Sequence, residues 1–329
     1  MQRIIIGVDV SQDFLDCHIR PTSVRQRFAN TSAGIAELVA WARPLAAERI
    51  LFESTGPYQI AAVGALLAEG FPAVVVNARQ VRDFAKAMNY LAKTDTIDAA
   101  VIAHFGEVAT TKVRPLESEE IRTLRELYDR RGQLVHMRAM EKNQRHSASV
   151  ARASANVLHS IDRHIEYLEK QIHDLEQRMD RLIEKSAAFQ ARNEILQTIT
   201  GIGPHVSRTL LVHLPELGQY TRQKIAALVG LAPFNDDSGD HVGHRHIRGG
   251  RNKVRIGMYQ AAIAAIRHCP RMKAFYAAMK ARGKASRIAI IAIIAIIAIA
   301  RKILVLANAL VRDMKPYEDR TNSICPKTT

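Results

Sequence analysis

Four acids and one serine stand where their chemistry matters most. Asp9 lies near the end of the apolar run IIIGVDV (4–10), and Glu53 closes the run RILFE (49–53). An aspartate inside an apolar strand is costly unless it is paired or bound to metal. Two carboxylates leaving adjacent strand ends would give a hard divalent cation such as Mg²⁺ the oxygen ligands it prefers. Asp95 and Asp98, in LAKTDTIDAAVIAHF, are three residues apart at a helix start and so share one face. Acids in a first turn also complement the helix dipole, and for that pair this reading stays open.

The serine is Ser238, in LAPFNDDSGDHVGHRHIRGG (231–250). Its neighbours are ordinary turn formers, so a surface loop is the plain reading. The loop also carries His241, His244 and His246, but three histidines without a fourth ligand are a weak zinc signal. A serine hydroxyl is a poor nucleophile at neutral pH, and Ser238 has no evident base beside it. Arg245, Arg248, Arg251, Lys253 and Arg255 crowd the end of the loop and the start of the next helix. Such a cluster is usually a solvated face, but here it flanks glycines that let a ligand approach the backbone. Upstream, Gly201 and Gly203 in ILQTITGIGPHVSRTLLVHL (195–214) resemble the turn of a helix-hairpin-helix, which offers N–H groups to a phosphate. A tight turn between two core helices is the alternative.

The elements that must position these groups follow from periodicity. Segments 4–10, DCHIR and VRQRF predict a three-stranded antiparallel meander. A helix over 33–47, the strand 49–53, a helix to about Glu69 and the strand PAVVV (72–76) follow. Three antiparallel strands followed by parallel strands alternating with helices is the ribonuclease-H-like order, and it makes Asp9 and Glu53 neighbours. From Leu158 the positions Leu158, Ile161, Ile165, Leu168, Ile172, Leu175, Met179 and Leu182 keep a heptad seam, which suits a coiled coil. We expect self-association along it; a hairpin packing against 121–147 is the alternative. The expected fold is thus α/β plus all-α. An amino-terminal domain occupies 1–112, a helical coiled-coil connector 113–190 and a mainly helical basic domain 191–329.

Charge separates these parts. The chain of 329 residues has a formal charge of +15. Residues 1–110 carry 10 basic and 11 acidic side chains, 111–185 carry 15 and 13, and 186–329 carry 22 and 8. A basic excess confined to one end points to a polyanionic partner, with nucleic acid first. Cys17, Cys269 and Cys325 are too scattered for a disulfide framework or a metal site, so a reduced, cytoplasmic protein is expected. No signal peptide is evident. The run IAIIAIIAIIAIA (288–300) is too short to span a bilayer before Arg301 and Lys302, so no membrane partner is expected and a helix buried on all sides is.

Asp9, Glu53 followed by STGPY, the KTDTIDA segment with Asp95 and Asp98, and GLAP followed by Ser238 and Gly239 together resemble the DEDD transposases of the insertion-sequence one-ten family. The resemblance covers nearly the whole chain. It implies a RuvC-like domain, a coiled-coil connector and a transposase domain. It further implies Mg²⁺ held by Asp9, Glu53, Asp95 and Asp98, Ser238 as a nucleophile that forms a phosphoserine bond to DNA, and a basic role for Arg255. Donor and target DNA, a structured non-coding guide RNA (the bridge RNA) and a homo-oligomer, a dimer or a pair of dimers, are the implied partners. Three other readings remain: a metal-dependent nuclease using water, an actin-like ATPase, and a non-catalytic nucleic-acid-binding protein. The ATPase lacks a glycine-rich phosphate loop of the Walker type.

Overall fold

The computed structural model describes residues 3–54, 56–90, 95–109, 118–234, 246–281 and 288–318, with the side chains of 95–97 and 288–290 outside that description. Internal contacts divide the chain into two units, Met1–Glu117 and Ser118–Thr329. The long helices expected as a separate connector therefore belong with the carboxy-terminal helices.

In the first unit, β1 (Ile5–Val10), β2 (Phe14–Arg20) and β3 (Arg25–Ala29) form an antiparallel meander. After α1 (Ser32–Ala42), whose first turn is capped by Thr31, β4 (Arg49–Glu53) pairs parallel to β1. Then α2 (Ile60–Ala68) leads to β5 (Ala73–Val76), parallel to β4. The sheet order is β3-β2-β1-β4-β5, the ribonuclease-H-like order expected from the runs. Helices α3 (Ala78–Ala87) and α4 (Asp95–Val108) complete the unit.

Alternation assigns the faces of β1. Ile6, Val8 and Val10 join Ile35, Leu38, Ala62 and Leu66 in a core on the α1 and α2 side. Ile5 joins Leu51, Val81, Val101 and Ile102 on the α3 and α4 side. Gly7 lies on this second face, and α4 crosses it with no room for a side chain: a Cβ there would fall on the backbone of Ala99 and Ala103. One on Gly106 would meet Leu51 and Ile5. Helix α4 therefore runs antiparallel to β1, with its first turn over the carboxyl end of the strand.

The second unit opens with α5 (Glu119–Val150) and α6 (Ala155–Lys185). They form an antiparallel hairpin around Leu134, Leu168 and Ile172, tied by Arg131–Glu176, Lys142–Glu169 and Arg145–Asp162 at 2.6, 2.9 and 2.8 Å. The buried members of the seam thus face α5 of the same chain, the hairpin alternative, and a heptad pattern alone does not distinguish the two partners. Beyond the hairpin come α7 (Ala187–Gln197), α8 (Pro204–His213), α9 (Arg222–Val229), the short pair β6 (Pro233–Phe234) and β7 (His246–Ile247), α10 (Asn252–His268), α11 (Pro270–Ala281) and α12 (Ile288–Asp313). Helix α12 extends past the Ile/Ala run. Among the described residues it is the one helix long and apolar enough to cross a membrane, yet Ile299, Ala300, Ile303, Leu304, Ala307 and Val311 are buried in the core of this unit. It is not buried on all sides as expected: Ile293 and Ile294 are 51% and 50% exposed, because the repeat places isoleucine around the helix rather than along one stripe.

Replacing Gly7 with Ala is expected to destabilise the protein by about 1–3 kcal/mol, because a methyl group there displaces α4 from β1. A thermal melt of the full chain, unchanged from the parent, would show that α4 is not fixed by this contact.

Candidate active site and loop base

Register brings three of the four acids to one place. Val8 pairs with Phe52 across β1 and β4, so Asp9 and Glu53 come next on the two parallel strands. Gly7 and Leu51 face α4, and side chains two residues on point to the same face, so Asp9 and Glu53 do too. Asp98 immediately precedes Ala99, the residue over Gly7. Asp9, Glu53 and Asp98 are half-buried at the shared end of β1, β4 and α4. Asp95 begins α4, one turn earlier, and its side chain lies outside the described residues. These hard carboxylate oxygens suit a divalent cation. Among the described residues no three His, Cys, Asp or Glu form a ready-made metal cluster.

Two further side chains on this face had not been singled out. Asp16 is the cross-strand partner of Asp9, extending the row Asp16, Asp9, Glu53 over three strands. Like charges opposite one another are unfavourable, and Arg27 offsets the charge of Asp16 with two hydrogen bonds of 2.7 and 2.9 Å. His18 pairs with Gly7 beneath α4 and is buried; burial, then Arg25 and Arg20, lower its pKa. The alternating pattern of FLDCHIR, which puts Asp16 and His18 on one face, was the available signal.

The loop quoted above is gathered at its base. Gly230 and Gly250 both have positive φ, 78° and 73°, and their backbones touch so closely that a Cβ on Gly250 would strike Gly230 N. The Arg251 N–H donates to Leu228 O at 3.1 Å, and β6 pairs with β7 just inside the crossing. Ser238, with Arg245 and the loop histidines at 241 and 244, lies outside the described residues.

The basic residues at this base are mostly engaged. Arg251 donates two 2.5 Å hydrogen bonds to Glu216 and a 2.8 Å bond to His213 O. Lys253 pairs with Asp129 at 2.5 Å, Arg255 donates to Gly249 O and to Asn252 Oδ1, and Arg248 lies 6.0 Å from the Phe234 ring centre. These contacts hold the loop rather than leave four free cations. Gly201, at φ 102°, packs against Ala261 O of α10, which accounts for a glycine there by core packing. Gly203 precedes Pro204 at the start of α8 and faces open space.

Next to Lys253, the Tyr128 ring stacks on His205 at 5.8 Å and meets His213 edge-on at 5.0 Å. Burial first, then Lys253, lowers the His213 pKa to about 4, outweighing the Asp129 carboxylate 3.8 Å away. His205 is lowered too, by burial and then by Arg131 and Arg208.

A ribonuclease-H-ordered sheet with carboxylates at its strand ends, in one chain with a basic helical unit, defines an enzyme that acts on a nucleic-acid backbone. A family model described as a transposase, the IS110 DEDD type, matches residues 6–148, and the model of the transposase IS116/IS110/IS902 family matches 193–277. The chain belongs to the IS110 family of transposases and is a DNA transposase or recombinase. Pilin gene-inverting proteins of Moraxella bovis and Moraxella lacunata are each 25% identical over 97% of this chain and 99% of their own length. The Insertion element IS110 uncharacterized 43.6 kDa protein of Streptomyces coelicolor is 26% identical over 45% of this chain and 36% of its own. A solved T. thermophilus RuvC, in complex with a Holliday junction substrate, aligns with a TM-score of 0.28 at 12% identity over 34% of this chain and 99% of that one. The sheet order above rests on strand pairing, independently of that likeness.

The low His213 pKa sets a pH dependence. A histidine whose folded pKa is about 4 against an unfolded value near 6.5 is held neutral by the fold. Its contribution to stability is complete above about pH 6.5 and declines as the pH falls toward 4. Denaturant unfolding of wild type and His213→Gln across that window should show a larger loss in the parent, the remainder coming from other depressed histidines such as His205 and His18; parallel curves would assign it elsewhere.

Proposed function

We propose that this chain cleaves and rejoins DNA strands by a divalent-metal-dependent reaction with Ser238 as nucleophile, guided by a structured non-coding RNA. The observation that carries the reading is the gathering of Asp9, Glu53 and Asp98 at one end of β1, β4 and α4, with Asp95 opening the same helix. We assign these four acids to a divalent ion, taken as Mg²⁺ for the hardness of the ligands. When bound, the ion neutralises charge that develops on the phosphate.

The serine is assigned from its place in the family-like segment GLAP to Ser238–Gly239, and the described ends of that segment are held together at Gly230 and Gly250. In the step itself, Ser238 Oγ bonds to phosphorus, one P–O bond of the strand breaks, and the hydroxyl proton ends on the departing oxygen. The phosphate ester is thereby conserved for rejoining. Such chemistry needs the acids of the amino-terminal unit and the serine of the carboxy-terminal unit in one reaction. Joining two duplexes also calls for more than one copy, a dimer or a pair of dimers.

Asp9→Asn and Asp98→Asn keep size and remove negative charge, so each should abolish cleavage in Mg²⁺ while DNA binding persists. Cleavage retained by either variant would remove that residue from the site. Ser238→Ala, among turn-forming residues in the sequence, should change stability by no more than about 0.5 kcal/mol and abolish the covalent protein–DNA adduct seen on denaturing gels. Free cut ends from that variant at the parent's rate would make water the nucleophile and the chain a nuclease.

A further inference from the structure

We infer that the groove between α10 and α11 is a seat for the phosphodiester backbone of duplex DNA. This rests on the transposase reading above, since DNA is the polyanion which that membership brings to the chain. Between Asp240 and Asp313 the sequence has no Asp or Glu and 15 Lys and Arg residues. The cations nearest the loop, Arg251, Lys253 and Arg255, are engaged within the chain, and Arg312 pairs with Asp313. Arg267, Arg271, Lys273, Lys280 and Lys302 make no ion pair among the described residues.

Three of these unpaired cations line one cavity. Arg267, Lys273 and Lys280, with Ile266, Tyr276 and Ala277, surround a groove of about 630 Å³, open to solvent. Lys280 is held with its ammonium 5.7 Å from the Tyr276 ring centre, and on the neighbouring residue Lys302 sits 4.1 Å from the Phe275 ring centre. These ring contacts limit where the ammonium groups can go, which lowers the ordering cost of meeting a phosphate. Arg267 in the last turn of α10 complements that helix's dipole, so by itself it has a structural explanation. Arg271 and Lys273 do not: they stand in the first turn of α11, where the dipole disfavours cations and which holds no acid. An anion in the groove would offset Lys273, which lines it. A groove lined by cations and apolar side chains without an acid contacts phosphate and offers little that distinguishes one base from another.

The test uses the full chain and a duplex of arbitrary sequence, with affinity read as a function of salt. Arg267→Gln, Lys273→Gln and Lys280→Gln together remove three phosphate contacts. They should weaken binding about tenfold or more and lower the slope of log K against log salt by roughly 2 to 3. The control changes three exposed cations on α6 in the same unit, Arg163→Gln, Lys170→Gln and Arg178→Gln, and should leave the slope within error. A thermal melt equal to the parent's keeps the comparison one of binding. An unchanged slope in the groove variant, with the parent binding DNA, overturns the groove and leaves the transposase reading standing. An equal loss in the control, or a loss seen with a hairpin RNA and not with DNA, also overturns it. A parent that binds no duplex would sink the groove and the reading beneath it together.

Discussion

The crossing of α4 over Gly7 is the contact on which the gathering of the acids depends. Because no side chain fits between β1 and the backbone of Ala99 and Ala103, the helix sits close to the strand and its direction is fixed by Gly106 over Ile5 and Leu51. That direction is what delivers Asp98 to the strand end where Asp9 and Glu53 emerge. Were α4 reversed, its acids would lie over the amino ends of the strands, and the row Asp16, Asp9 and Glu53 would stand without Asp98. The site is therefore a product of packing in the element that follows the sheet as much as of the sheet itself.

Elsewhere the chain spends charge on structure. The α5–α6 hairpin is laced by Arg–Glu and Arg–Asp pairs, and Arg208, 7% exposed, makes three hydrogen bonds of 2.7 to 3.0 Å to Asp180. A cation that deeply placed needs its partner, since removing one side of a buried pair leaves an uncompensated charge. Arg251 with Glu216 does the same work at the base of the loop, where it also binds His213 O. The unit's basic excess is therefore divided between cations fixed by acids or backbone oxygens and those that meet no acid among the described residues.

Much of the first unit was legible in the sequence. β-branched runs bounded by turn residues marked the five strands, and their order placed Asp9 beside Glu53 before any coordinates. The closeness of α4 was not legible, because a glycine in a strand signals close approach without naming what approaches. Asp16 was passed over for a related reason: its role is visible only once register sets it opposite Asp9. In the second unit the heptad seam was evident, but a/d spacing describes a stripe and not its partner, and the stripe meets α5. The pairing of Arg251 and Lys253 was not legible, because counter-ions from distant segments, Glu216 and Asp129, leave no trace in local spacing.

A row of carboxylates is a poor place to bind a polyanion. Asp16, Asp9 and Glu53 repel a phosphate until cations offset them, and Arg27 already answers one of the three. The first 110 residues have one more acid than base, so no general attraction there compensates. The cation excess lies elsewhere in the chain, in the acid-free stretch from 241 to 312. Separating the two has a physical advantage: cations placed directly among the acids would pair with them and compete with a metal ion for the same oxygens. With the acid row in one unit and the cation excess in the other, each keeps its own pairing.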